Sequence, residues 1–428
     1  MRFSLESRDL PICVGPPLPN LVSATLDSFG CLVNPQWLQS PRLQELDINI
    51  RYISEGVDAC ARSANVARTL LQASAASVAG IQKLRVKGWM SPALDATLRS
   101  LRSLRHITLH TGRSLTPQAL SFVATLPNLE HLYIHCSHIE AQDVTSFLRS
   151  PTETFPRLHT LRVRASRELV SLIFSLLPSG RLRSLYIESE ESQLDPKGWR
   201  GSFSLLAAKA ATSLISLTID RIADSVENAD ATPAVDAAED PSCFTVDALQ
   251  PLGALRALRH FTLDTVELSN FTDEEIDQLA SWWPELATLD LGTTPGTGDR
   301  AENWMPKATV ATLERLATRC PALRALTIAL DATPTSAQCV VDGPAHAESC
   351  KTQLALRALH VGCPDGAEPK VFQTFTRTAL RIFPNLAEID VSTAEKSITV
   401  DITTALREDG EVAVDRTAGT EDGFADGQ

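Results

Sequence analysis

Apolar residues recur along this chain in one phrase, Leu-x-x-apolar-x-apolar. It starts at Leu21, Leu43, Ile81, Leu104, Leu129, Leu158, Leu182, Leu214, Leu258, Leu286, Leu323, Leu356 and Leu386. Side chains alternate between the two faces of a strand, so the fourth and sixth places of each copy share a face. Those pairs, from Ala24/Leu26 through Leu132/Ile134 and Leu289/Leu291 to Ile389/Val391, are apolar in all thirteen copies. The mean spacing of about 30 residues leaves room for a strand, a turn and a helix in each unit. The helices carry start signals of their own. Thr116-Pro117 offers a cap with proline at the first helical place, and Thr272 to Glu275 has the form of a capping box. Gly56 to Gly80 carries a long apolar stripe and ends on glycine.

Proline punctuates the phrase. Pro127, Pro156, Pro178, Pro284, Pro321 and Pro384 follow apolar helix ends, as in LASWWPELATLDL, and Pro19 and Pro41 precede strands similarly. Proline cannot continue a helix, so each marks the corner where a helix turns into the next strand. Trp282 and Trp283 are then packing aromatics of core or corner.

Strand-forming units with intervening helices resemble the leucine-rich repeat, ribonuclease-inhibitor-like class. The phrases LPNLEHLYI, LASWWPELATLDLG and LATRCPALRALTIALDA resemble the leucine-rich part of fungal F-box-like proteins. The resemblance covers roughly Leu18 to Ser392 and implies an α/β solenoid, a horseshoe with a parallel sheet on its concave side and helices on its convex side. It also implies substrate recognition for ubiquitin ligation through Skp-cullin machinery. Two departures accompany it: the usual Asn after the last strand leucine is replaced by residues such as Arg51, Trp89, Gly112 and Ser137, and residues 1–40 hold no counterpart of an F-box. A free-standing leucine-rich-repeat binding or regulatory protein is the alternative.

The expected organisation is an N-terminal extension over 1–17, a solenoid over 18–397 and an acidic tail over 398–428. SITVDI, from Ser397, offers a last strand at the start of that tail, which is expected to be mostly disordered. Polar inserts at 221–247 and 331–352 are expected to be flexible, since they cannot bury enough apolar surface to order themselves. The net charge of −13 is concentrated: residues 223–240 contribute −6 and residues 407–428 contribute −5, leaving a body close to neutral. Nine cysteines, with no Cys-x-x-Cys, argue for buried thiols such as Cys60 and Cys136 over disulfides or a standard zinc site. The start lacks an apolar signal segment and no run of 18 apolar residues exists, so an intracellular location in cytoplasm or nucleus is expected, with no membrane partner.

Catalytic signatures are missing: there is no Gly-x-Ser-x-Gly, His-Glu-x-x-His or Walker loop, and TTPGTGDR lacks the Lys-Ser/Thr that grips phosphates. Asn270-Phe-Thr272 forms a glycosylation sequon, but Thr272 is better read as a helix cap. Cys339, Cys350 and His346 in one insert are the only hint of a nucleophile with a base. No enzyme activity and no cofactor are expected. Binding is the remaining chemistry, and places three, five and seven of each phrase face away from the core. There the chain reads Glu45, Asp47, Asn49; then Lys83, Arg85, Lys87; His106, Thr108, His110; His131, Tyr133, His135; Thr160, Arg162, Arg164; and turns neutral to acidic from Ser184, Tyr186, Glu188 onward. Three readings of this four-strand basic and histidine face stand open. One is plain solvated surface. Another is a dock for a protein partner with an acidic or phosphorylated segment, which arginine holds by two parallel hydrogen bonds. The third is a metal site of paired imidazoles, for which no nearby cysteine or carboxylate completes the ligands. The partner dock is the working expectation: Lys83, Arg85, Lys87, Arg162 and Arg164 with His106, His110, His131, Tyr133 and His135, and no metal. At an unperturbed pKa near 6.5, the histidines would gain charge as pH falls toward about 6. Nucleic acid is disfavoured, because base-stacking aromatics are nearly absent from the face.

Overall fold

The computed structural model describes residues 2–5, 18–27, 40–50, 64–65, 67–69, 71–72, 80–148, 154–189, 196–221, 244–264, 270–293, 305–332, 353–363, 369–392 and 397–401. Outside these fall most of the inserts expected at 221–247 and 331–352, with Cys339, His346 and Cys350; the tail beyond Asp401; Cys60; and most of the stretch from Gly56 to Gly80. Of that last stretch, residues 64–65, 67–69 and 71–72 are helical, with Ala64, Ala67 and Leu71 buried.

The chain forms two compact units, residues 1–193 with 197–230, and residues 194–196 with 231–428. In the first, β1 (Arg2–Leu5), β2 (Ser23–Asp27), β3 (Glu45–Asn49), β4 (Lys83–Lys87), β5 (His106–His110), β6 (His131–His135), β7 (Thr160–Arg164), β8 (Ser184–Ser189) and β9 (Ser216–Arg221) lie side by side in chain order. Every neighbouring pair among them is parallel. In the second unit, β10 (His260–Asp264), β11 (Thr288–Asp290), β12 (Ala325–Ala329), β13 (Ala358–Gly362) and β14 (Glu388–Ser392) are likewise parallel, and β15 (Ser397–Asp401) closes the order antiparallel to β14. Parallel neighbours require crossover connections, and helices such as Pro117–Ala124, Arg167–Leu176, Asp273–Trp282 and Pro369–Ile382 supply them. Each unit is therefore an α/β leucine-rich-repeat solenoid. In the first unit β1 adds a strand within the segment assigned as an N-terminal extension, and in the second β15 is the last strand expected from Ser397.

Register follows from burial. All thirteen apolar pairs, including Leu132/Ile134 and Leu289/Leu291, are buried, whereas Tyr133 stands 37% exposed on the opposite face. Helices close the core from the other side with residues such as Leu120, Val123, Ile276 and Leu279. Thr116 caps the amide of Ala119, and Thr272 with Glu275 forms the reciprocal capping box. At the corners, the residue before proline accepts from the leucine that opens the next phrase, as Leu286 N–H to Trp283 O at 3.0 Å and Leu323 N–H to Cys320 O at 3.1 Å. That is a β-turn with proline at its second place, where its fixed φ is already correct. Trp283 is fully buried and donates Nε1–H to Leu252 O at 3.1 Å, with Trp282 packed edge-on against it. Cys136, Cys320 and Cys363 are buried cysteines outside any disulfide, and burial pushes Cys320 and Cys363 up to about 12.

One backbone feature repeats without a residue signature. The carbonyl at the second place of a phrase accepts from two successive amides of the following one. Arg105 O takes Glu130 N–H at 2.8 Å and His131 N–H at 2.9 Å, and Glu130 O takes His159 N–H at 2.9 Å and Thr160 N–H at 3.1 Å. Gln44, Gln82, His159, Arg183, Arg259, Ala287, Arg324 and Arg357 behave alike. Two amides aimed at one acceptor break strict alternation just before these strands begin.

Candidate functional site

The ten residues expected to form a face come from four adjacent strands, β4 to β7, and the sheet register aligns them. Lys83 lies beside His106, Arg85 beside Thr108, and Lys87 beside His110. His106 pairs with His131, Thr108 with Tyr133, Tyr133 with Arg162, and His135 with Arg164. Lys83, Tyr133 and Arg162 are exposed, and the other seven are half-buried among their neighbours. Stacking is close at one end: the His106 and His131 rings lie 4.2 Å apart and nearly parallel, at 7°.

Electrostatics divide the cations into two kinds. Arg85 meets Asp47 at 3.6 Å, so strand β3 partly neutralises it. Arg162 is held more firmly. Its Nε–H and Nη2–H both reach Glu188 Oε1, at 2.7 and 2.5 Å, and its guanidinium lies 4.2 Å over the Tyr186 ring. Tyr186 in turn donates its hydroxyl to Asp220 Oδ2 at 2.7 Å. Burial, then the bond to Asp220, raise the Tyr186 phenol well above its usual range. Glu188 is nearly buried, so Arg162 is as much its counter-ion as a surface charge. Among the described residues, Lys83 and Lys87 form no ion pair, which leaves them as the cations most available to a ligand.

Three of the histidines do not keep their free-solution pKa. Burial, and then the charge of the neighbouring ring, hold His106 below 6.5. His110 is lowered by burial and next by Arg85, Lys87 and Arg162, and His131 is lowered by burial with partial relief from Glu130. Charging toward pH 6, as expected from the ordinary value, is thus displaced to more acidic pH. Around neutrality these rings are neutral donors and acceptors set among permanent cations.

Glu130 is the residue that sequence reasoning missed. It occupies the second place of its phrase, outside the three columns assigned to the face. The shared carbonyl of Arg105 turns the chain there, and donor atoms of His106, Glu130 and His131 come to lie within 4.8 Å of one another. The premise that no carboxylate stands near the paired imidazoles is therefore corrected. Glu130 also meets Arg105 at 3.5 Å, a pair whose arginine is half-exposed. Beyond β7 the face becomes neutral to acidic, as expected. In the second unit Asp290, beside Thr262 and Thr327, has its carboxyl raised by burial, and His360 approaches Asp390 at 3.5 Å.

No family model and no curated protein matches this sequence. Among solved structures, the leucine-rich-repeat-containing protein LegL7 from Legionella pneumophila is similar at 13% identity and a TM-score of 0.39, over 76% of this chain and all of that one. A chain of the yeast Rad7 and Elc1 complex is similar at 13% identity and a TM-score of 0.34, over 66% of this chain and 72% of that one.

Proposed function

We propose that this chain is a non-enzymatic protein-recognition scaffold whose sheet face across β4 to β7 holds an acidic or phosphorylated segment of a partner. The observation that carries the reading is the alignment of Lys83, Arg85 and Lys87 on one strand with half-buried imidazoles and two arginines beside them. A row of fixed cations on register-locked strands binds phosphate or carboxylate oxygens with little ordering cost, because the sheet has already placed them. Repeat solenoids commonly bind on such surfaces. The phrases shared with F-box-like proteins support a finer role, substrate recognition for ubiquitin ligation; a free-standing scaffold is the other outcome of the same test.

The experiment is affinity purification of the tagged chain with mass spectrometry, alongside the charge reversal Lys83→Glu/Lys87→Glu and the control Thr262→Glu. Recovery of Skp and cullin subunits with a further partner supports the ligase role, and a stable partner without them supports the free-standing one. In either case the lysine variant should lose the partner while the control keeps it. Equal recovery by both variants would reduce the basic face to solvated surface.

A further inference from the structure

We infer that His106, His131 and Glu130 form a binding site for a divalent ion of the zinc class, distinct in chemistry from the anion dock around it. Two imidazoles and one carboxylate are the donor set that borderline metals such as zinc accept, with three protein ligands and a fourth position left open. The three side chains come from two adjacent repeats, and the parallel register His106↔His131 fixes the backbones from which both rings project. The shared Arg105 carbonyl fixes the third, by setting Glu130 and His131 as consecutive donors to one acceptor.

The donor atoms lie within 4.8 Å of one another. A tetrahedral ion with bonds of about 2.0 Å needs donors about 3.3 Å apart. Binding therefore closes the set by side-chain rotation alone, unstacking the two rings so that their lone pairs converge. Glu130 must release Arg105, a contact of 3.5 Å to a half-exposed guanidinium that is cheap to break. Other groups around the site pull in both directions. Lys83 flanks His106 and opposes a second cation, whereas Glu45 beside Lys83 offsets it, and His159 lies near His131. An ion here would add two positive charges at the edge of the basic face and present one open position to a water or to a carboxylate from outside.

Calorimetric titration of the chelator-treated full chain with zinc chloride alone tests this without any partner. One ion per chain is expected, lost in His106→Asn/His131→Asn, weakened in Glu130→Gln and retained in His110→Asn/His135→Asn. Cobalt(II) should give the visible absorption of a low-coordinate ion in the unaltered chain and not in the first variant. Zinc retained by His106→Asn/His131→Asn, or an unaltered chain that takes up no zinc, overturns the assignment. Because Lys83→Glu/Lys87→Glu leaves all three ligands in place, loss of partner and loss of metal are separable results.

Discussion

At the scale of single residues, the histidines make a prediction with a definite sign. The folded pKa values of His106, His110 and His131 lie below the ordinary 6.5, with burial as the leading cause in each. As pH falls below 6.5 the unfolded chain takes up protons before the folded one does. Stability present above that pH is therefore lost through the window beneath it. Melting temperature should fall on mild acidification in metal-free buffer, and His106→Asn/His131→Asn should melt with a shallower pH dependence. Arg162 gives a second prediction. Removing its guanidinium leaves the nearly buried Glu188 carboxylate without its strongest partner, so Arg162→Met should cost about 1–3 kcal/mol in denaturant unfolding. Lys83→Met, at an exposed side chain with no ion pair, should cost under about 0.5 kcal/mol. Arginine places were legible as face positions because strand alternation has a period of two. The partner of Arg162 was not, because a long side chain reaches a diagonal neighbour, two places off the register pair Arg162↔Tyr186.

At the scale of elements, the corner and the cap explain why the sequence was so readable. Two alternating apolar places after an opening leucine or isoleucine define each of these strands from purely local chemistry, and at eight of the thirteen a proline marks the corner before it. Thirteen such strands were expected and all are present. The two others lack part of that grammar. β1 alternates Phe3 and Leu5 without an opening leucine, and β15 pairs antiparallel, a geometry that no repeat phrase encodes. The helix after β10 tests the caps: Thr272→Ala removes the side-chain half of its capping box, the bond from Glu275 N–H to the threonine hydroxyl, and should cost about 1 kcal/mol. Leu289→Asp is the harsher test. It puts a carboxylate at a core place 1% exposed, where the cost should exceed about 4 kcal/mol. Amide hydrogen exchange should then show protection lost first in β10, β11 and β12, since a repeat depends on its immediate neighbours.

At the scale of the whole molecule, the acidic total and the basic face belong to different parts of the chain. Residues 223–240 and 407–428 hold −11 of the −13 charge, so the net figure describes those segments and not the sheet face. Attraction between the face and an acidic ligand is long-range at low salt and short-range at high salt, the screening length shrinking from about 10 Å at 0.1 M to about 3 Å at 1 M. Affinity for an acidic partner should therefore drop steadily with ionic strength, and Lys83→Glu/Lys87→Glu should flatten that dependence. Zinc binding, a matter of coordination, should vary far less over the same range.

The carbonyl that serves two amides changes how much a repeat can say. Strict alternation gives each repeat three outward letters. The kink before the strand brings a fourth within reach of them, as Glu130 shows beside His106 and His131. That fourth place reads Gln44, Gln82, Arg105, Glu130, His159, Arg183 across successive repeats, a sequence as varied in charge as the face itself. Because its backbone bonds are made whatever the side chain, substitution there is nearly free for the fold. A lineage of such proteins could rewrite its ligand preferences one repeat at a time from this margin, without touching a single core residue.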